Sequence, residues 1–242
     1  HNCGVGSSFP RFLRFIDKVL YNEFKLECFK EKGQKIDEPV EEAPVERDTK
    51  SYDDIFNKAT CIDALDDSHT AKKFLLDRYI PSRFFSDLYY TNNFPAFVNN
   101  IIPNKIKLQL EEPRIIIPLR HNSSVRKNVV HGFQGRALDP KVSSRYITIS
   151  LTNTPKCFGL NTVDFNRRFY VLEGPFDAMF LDNSIAICGS DFITTLNQLA
   201  CNPENAVLIY DNEPRNTQVI AKIESAIKFG YRVVIWPRNL SQ

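Results

Sequence analysis

The spacing of apolar positions divides the chain into segments that predict different elements. Between 8 and 29, apolar residues recur every three or four positions, which predicts an amphipathic helix. Residues 51–100 are rich in aromatic side chains and helical in pattern, and the polar run at 66–69 marks the start of one helix. From 105 to 153, runs of β-branched and aromatic residues bounded by Pro, Asn and Gly predict a mixed or antiparallel sheet.

After 166, strand-like and helix-like segments alternate. The pattern predicts helices that begin at Phe176, Phe192 and Thr217, and strands at 169–172, 185–188, 206–210 and 232–236. Strands connected by helices form right-handed units and hence a parallel sheet. The chain is therefore predicted to be of the α/β class, with an α+β part followed by a mainly parallel α/β sheet.

Length and composition limit the class of protein. The 242 residues, 43% of them hydrophobic, can form one large domain or two smaller ones. Apolar runs fall short of the roughly 20 residues needed to cross a bilayer. The N-terminus lacks the basic-then-apolar pattern of a secretory signal. We therefore expect an intracellular protein that is neither secreted nor held in a membrane.

Charge is distributed unevenly along the chain. Residues 31–54 contain nine acids and four bases together with two prolines, which is typical of a solvated linker, and we place a domain boundary there. Residues 101–160 contain ten bases and three acids, which would attract a polyanion. The alternative is that these bases are scattered over a solvated sheet face.

Acidic residues follow two strands of the predicted parallel sheet. Glu173 and Gly174 come directly after the strand at 169–172, with Asp177 four positions beyond Glu173, and Asp211 and Glu213 follow the strand at 206–210. Ligands bind at the carboxyl ends of such strands. Each acid alone could be a helix cap, but four clustered carboxylates repel one another unless a cation such as Mg²⁺ is bound. The pattern predicts phosphoryl or nucleotidyl chemistry.

These motifs resemble the Toprim domain of bacterial-type primases, topoisomerases and some nucleases, which has Glu-Gly after one strand and Asp-x-Asp after a later one. Glu213 departs from the pattern but keeps its charge. Upstream, RIIIPLR at 114–120 and GFQGRAL at 132–138 resemble the basic subdomain of bacterial and phage primases, and TPKCFGL at 154–160 resembles the segment that places a lysine at the nucleotide site. The combination fits T4-like phage primases best.

The resemblance implies a DNA primase that makes RNA primers on single-stranded DNA from ribonucleoside triphosphates by metal-dependent nucleotidyl transfer. The catalytic residues it implies are Glu173, Asp177, Asp211 and Glu213, and those that hold Mg²⁺ or Mn²⁺ are Glu173, Asp211 and Glu213. The residues it implies for nucleic-acid or nucleotide binding are Arg114, Arg120, Arg136, Lys156, Gly174 and Arg215. It also implies a replicative helicase as partner and the cytoplasm of the bacterial host as location.

The N-terminal Asn2, Cys3 and Gly4 resemble the last knuckle of the zinc ribbon in T4-like primases, which implies that Cys3 is a Zn²⁺ ligand whose partners lie outside this sequence. Without the resemblance, Cys3 is a terminal thiol. The predicted domains are a ribbon remnant and helix (1–30), an acidic linker (31–52), the basic subdomain (53–165) and a Toprim domain (166–242) that lacks its C-terminal part.

Two other functions remain open from the sequence. A Toprim nuclease or topoisomerase fragment would use the same acids to cleave DNA, although none of the nine tyrosines has a context that marks it as a strand-attacking residue. A non-catalytic module would bind single-stranded DNA without metal or chemistry.

Overall fold

The computed structural model describes residues 53–107, 111–189, 191–213 and 215–237. All of them belong to one compact unit, 50–242. Cys3, the helix predicted at 8–29 and the acidic linker at 31–52 lie outside the described residues. No helix in the described part of the chain has the length and hydropathy needed to cross a bilayer.

The first part of the unit is an antiparallel sheet of five strands in the order β1-β2-β3-β4-β5. The strands are β1 (Thr60–Cys61), β2 (Tyr89–Thr91), β3 (Arg114–His121), β4 (Val129–Ala137) and β5 (Tyr146–Ser150). Helices α1 (Thr70–Asp77) and α2 (Phe94–Ile101) and the 3-10 helices Asp53–Lys58, Ile62–Ala64 and Ser82–Asp87 accompany the sheet. The antiparallel sheet predicted at 105–153 is confirmed; β1 and β2 extend it from the segment predicted to be helical.

Strand β3 is apolar on both faces because both faces are covered. On one face Ile116 packs with Phe94 of α2 and Phe133 of β4. On the other face Ile115 and Ile117 pack against α1 and against the start of the second sheet's first helix. Gly135 is required on the first face, because a Cβ there would lie 2.4 Å from the Phe94 ring.

The second part is a five-stranded sheet in the order β10-β9-β7-β8-β6, made of β6 (Cys157–Phe158), β7 (Phe169–Leu172), β8 (Ser184–Ile187), β9 (Ala206–Leu208) and β10 (Arg232–Val233). Strands β7 to β10 are parallel, and β6 is an antiparallel edge strand. The helices are α3 (Pro175–Ala178), α4 (Phe192–Gln198) and α5 (Thr217–Lys228). The predicted parallel sheet and α/β class are confirmed, while β6 was not predicted and precedes the domain boundary predicted at 165/166.

A β-bulge in β4 buries an unusual histidine. Leu119 pairs with Gly132 and Arg120 with Val130, which leaves His131 as the extra residue. His131 is 1% exposed, and its ring centroid lies 5.3 Å from that of His121. Burial, with a further contribution from His121, lowers the pKa of His131 to about 4.

This histidine gives a pH-dependent stability. Because the pKa of His131 is lower in the folded chain than its ordinary 6.5, the unfolded chain takes up the proton first as the pH falls, and stability is lost between pH 6.5 and about 4. We expect the loss from this group between about pH 7.5 and about pH 5 to be about 2 kcal/mol. Urea unfolding of the wild type and of His131→Gln at both pH values measures it, and an equal pH dependence in the two would contradict the account.

Candidate active site

Two neighbouring strands bring their terminal acids together. Strands β7 and β9 pair in parallel, and the Ile209 N–H extends the pairing by donating to the Val171 carbonyl at 2.8 Å. Glu173 follows β7, and Asp211 lies two residues beyond Ile209. The Asp211 backbone N–H lies 3.4 Å from Glu173 Oε1, so the two acids stand side by side at the carboxyl edge of the sheet.

Asp177 joins these acids from the first turn of α3. Gly174 caps this helix with an ordinary extended backbone, at φ −117°. A Cβ at Gly174 would lie 2.6 Å from Asp177 Oδ2. A side chain at this position would therefore displace the Asp177 carboxylate, whereas the turn itself does not demand a glycine. The phosphate contact at Gly174 stays a prediction.

The carboxylates at this edge repel one another. Partial burial raises the pKa of Glu173, Asp177 and Asp211. The Asp211 carboxylate raises the pKa of Glu173 and Asp177 further, and Glu213 acts in the same way on Asp211. The carboxylates therefore lie within electrostatic reach of one another, and nearby cations offset their repulsion only in part.

Glu213 is held by the turn that follows Asp211. Its N–H donates to the Asp211 carbonyl at 2.8 Å, and its side chain accepts a hydrogen bond from Asn216 Nδ2. Asn216 also caps α5, accepting from the Gln218 N–H at 3.0 Å. Arg215 is exposed beside this turn.

The acids do not form a closed ligand set. Within the described ranges, no three His, Cys, Asp or Glu side chains converge closely enough to hold a metal ion. The donors that this edge offers are oxygen atoms alone, the type that Mg²⁺ and Mn²⁺ prefer. The site fits such a cation by the type of its donor atoms and by its excess of acidic charge.

Lys156 lies at the same edge of the sheet. Its carbonyl accepts from the Cys188 N–H at 2.8 Å, just beyond the carboxyl end of β8, and β8 is the neighbour of β7. The Lys156 side chain is exposed. The topology therefore places this predicted nucleotide-site lysine at the edge that carries Glu173.

Arg136 comes from the other sheet and stacks on aromatic rings. Its guanidinium carbon lies 4.5 Å from the centroid of Tyr146 and 5.5 Å from that of Phe74. Its Nε is buried without a hydrogen-bond partner. Burial raises the pKa of Tyr146, the Arg136 charge lowers it and the Asp177 charge raises it. Tyr146 of the first sheet therefore lies within electrostatic reach of both Arg136 and Asp177.

Comparison with known proteins identifies the family. No protein-family model matches the chain. The chain is 31% identical to the DNA primase of Enterobacteria phage T4 over 245 residues, which cover 99% of this chain and 68% of that protein. The chain belongs to the DNA primases. The predicted resemblance is thereby confirmed, and it decides against the nuclease or topoisomerase alternative.

Solved primase structures share the fold. A structure of the zinc-binding and RNA polymerase domains of the Aquifex aeolicus primase matches with a TM-score of 0.57 at 20% identity, covering 99% of this chain and 67% of that one. The RNA polymerase domain of the Mycobacterium tuberculosis primase DnaG matches with a TM-score of 0.51 at 16% identity, covering 74% and 72%. At these identities the likeness shows the fold alone.

One arginine predicted to bind nucleic acid in this primase is structural. Arg114 is fully buried and pairs with Glu112. Its Nη atoms donate to the carbonyls of Gly135 (2.7 Å), Ser144 (2.7 Å) and Arg145 (3.2 Å). Nucleic-acid binding by Arg114 does not fit this arrangement, because its donors are already used inside the fold.

Arg120 lies away from the acids, and its predicted nucleic-acid contact stays a prediction. It forms a two-pronged salt bridge with Asp87, 2.7 Å at its shortest, and faces a cavity of about 320 Å³ at the amino end of β8. The acids at the carboxyl edge do not line this cavity. Arg120 therefore stands apart from the site that the other predicted residues form.

Two cations near the acids were missed from the sequence. Lys222 of α5 lowers the pKa of Glu173 and Asp211, and Arg78, at the end of α1, lowers that of Asp177. A partial signal for Arg78 was its spacing of four residues from Phe74, which places both on one helix face. No local pattern shows that this face meets α3.

Proposed function

We propose that this chain synthesises short RNA primers on single-stranded DNA by nucleotidyl transfer at the carboxyl edge of the second sheet. The observation that carries the proposal is the placement of Glu173, Asp177, Asp211 and Glu213 along one edge of the sheet, where the Asp211 charge raises the pKa of Glu173 and Asp177 and the Glu213 charge raises that of Asp211, in a chain of the primase family. Template-dependent polymerisation of ribonucleotides is the reaction that such a family and such a site support together.

The acids suit a divalent metal. Glu173, Asp211 and Glu213 would hold Mg²⁺ or Mn²⁺, because clustered carboxylates gain most from a hard cation. When bound, the ion would neutralise charge on the triphosphate and lower the pKa of the attacking 3′-hydroxyl. Asp177, folded over Gly174, borders the same edge and completes the acidic set.

The bases around the acids would orient the substrates. Lys156 lies at the end of the neighbouring strand and is free to reach a phosphate. Arg136 presents a guanidinium, the group best suited to bidentate phosphate contact. Arg215, exposed after Glu213, would contact a phosphate at the rim. In these roles the nucleotide would lie between the two sheets and the template would cross the basic sheet.

The family resemblance also suggests a zinc site, a partner and a cellular location. Cys3 would be one ligand of a Zn²⁺ ribbon. The replicative helicase is the expected partner, and the cytoplasm of the bacterial host is the expected place of action. The two sheets would act as the basic and Toprim subdomains.

Primer synthesis tests the proposal directly. The chain is incubated with a pool of single-stranded templates that contains every trinucleotide, with labelled ribonucleotides and Mg²⁺. We expect short RNA products that disappear when a chelator removes the metal. Metal-dependent nicking of DNA without ribonucleotides would favour a nuclease instead. Salt-sensitive DNA binding without any product would favour the non-catalytic module.

A further inference from the structure

Two arginines stack on one phenylalanine beside the acidic edge. The guanidinium carbon of Arg78 lies 4.8 Å from the Phe74 ring centroid, and that of Arg136 lies 5.5 Å from the same centroid. Arg136 also lies 4.5 Å from the Tyr146 ring. We call these four residues the arginine–aromatic stack. Stacking on a ring fixes the plane of a guanidinium while leaving its N–H groups free along the edge.

The arginine–aromatic stack is anchored to the helix that carries Asp177. The rings of Phe74 and Phe176 lie 6.3 Å apart, and Phe176 directly precedes Asp177. Phe176 is buried in the core that joins α1 to the first sheet, so the spacing between α1 and α3 is fixed by packing. Arg78, one residue past the end of α1, accordingly lowers the pKa of the Asp177 carboxyl.

The two arginines of the arginine–aromatic stack are not held in salt bridges within the described residues. Arg114 and Arg120 pair with acids, whereas neither Arg78 nor Arg136 forms a salt bridge with any described residue. The Arg136 Nε is buried without a partner, a cost that is normally offset by a ligand or water. Arg78 is exposed, and no carboxylate in the described ranges lies within salt-bridge distance of it.

We propose that Arg78, held by Phe74 next to Arg136, binds the triphosphate of the incoming ribonucleotide beside Asp177. The inference rests on the proposed function and adds a residue that the family resemblance did not supply. We favour the triphosphate over the template backbone as the ligand of Arg78, because the arginine–aromatic stack borders the acids only at Asp177. A template strand instead requires a line of contacts along a groove.

The test compares Arg78→Gln with two controls. Arg83→Gln removes an arginine that also stacks on a ring, with its guanidinium carbon 4.9 Å from the Phe84 centroid, and that donates to the Met179 carbonyl at 3.1 Å, but whose charge does not act on the pKa of Glu173, Asp177 or Asp211. Lys73→Gln removes an exposed charge from the same helix. Two quantities are measured for each protein: the KM for ribonucleotides in primer synthesis, and the Kd for a non-hydrolysable ribonucleoside triphosphate by calorimetry.

We expect Arg78→Gln to raise both constants roughly tenfold to a hundredfold, the loss of one charge-assisted hydrogen bond, with template affinity changed less than about twofold. Both controls should stay within about twofold of the wild type, and Arg78→Lys should recover part of the loss. Equal nucleotide affinity in Arg78→Gln and Arg83→Gln would overturn the proposal, as would weaker template binding with unchanged nucleotide binding. If the wild type binds the triphosphate but makes no primer, the proposed function fails. The Kd values of the wild type and Arg78→Gln then still show whether Arg78 binds the triphosphate.

Discussion

Replacement of Glu173 by Gln, or of Asp211 by Asn, is expected to lower the rate of primer synthesis by about a thousandfold or more. Each change removes a carboxylate that would hold the metal, and metal stabilisation of transition-state charge contributes several kcal/mol. The measurement is the initial rate of RNA synthesis at saturating template, ribonucleotide and Mg²⁺. Because the change acts on the reaction itself, raising the ribonucleotide concentration should not restore the rate.

Matched controls separate this effect from a loss of folding. Glu224→Gln and Asp63→Asn make the same chemical changes at exposed positions away from the site, and both variants should keep the wild-type rate. The thermal midpoint of Glu173→Gln should not fall, because one of the mutually repelling carboxylates is removed. Near wild-type synthesis by both Glu173→Gln and Asp211→Asn would remove these acids from the active site.

Arg114→Gln is expected to destabilise the fold by about 3–5 kcal/mol, the usual cost of removing one partner from a buried ion pair. The change leaves the Glu112 carboxylate without its cation and removes one donor from the carbonyls of Gly135, Ser144 and Arg145, of which the Gly135 bond is buried. Because small proteins are stable by only about 5–15 kcal/mol, the shift in urea midpoint should be large. Arg136→Gln, in contrast, should change the free energy of unfolding by about 1 kcal/mol or less while weakening nucleotide or template binding.

The two arginine variants are informative as a pair. If Arg114→Gln unfolds at the wild-type urea concentration and only loses affinity for nucleic acid, the buried role given to Arg114 is wrong and its predicted binding role returns. If Arg136→Gln is the less stable of the two, the roles of the two arginines are reversed.

The parallel sheet and the place of the acids could be predicted from the sequence because the signals are local. Buried strands appear as short apolar runs, helices start at caps such as Asn216, and topology then brings the ends of neighbouring strands together. Glu173 and Asp211 were therefore placed side by side without any knowledge of tertiary contacts.

The roles of the arginines could not be predicted in the same way. From the sequence, an arginine at the start of an apolar strand is expected to be exposed. Only its contacts with Glu112 and with the β4–β5 connection show that Arg114 is buried. Arg78 depends on the contact between Phe74 and Phe176, which are about a hundred positions apart along the chain. The two-residue edge strand β6 and the bulge at His131 are likewise set by pairing between distant segments.

The central claim is that the acids at the carboxyl edge bind the catalytic cation. The most direct measurement is the binding of Mn²⁺, followed by its electron paramagnetic resonance signal, to the wild type, Glu173→Gln, Asp211→Asn and Glu224→Gln. The account predicts saturable binding by the wild type and Glu224→Gln, weakened at least about tenfold in the other two variants. Equal Mn²⁺ affinity in all four proteins would contradict it.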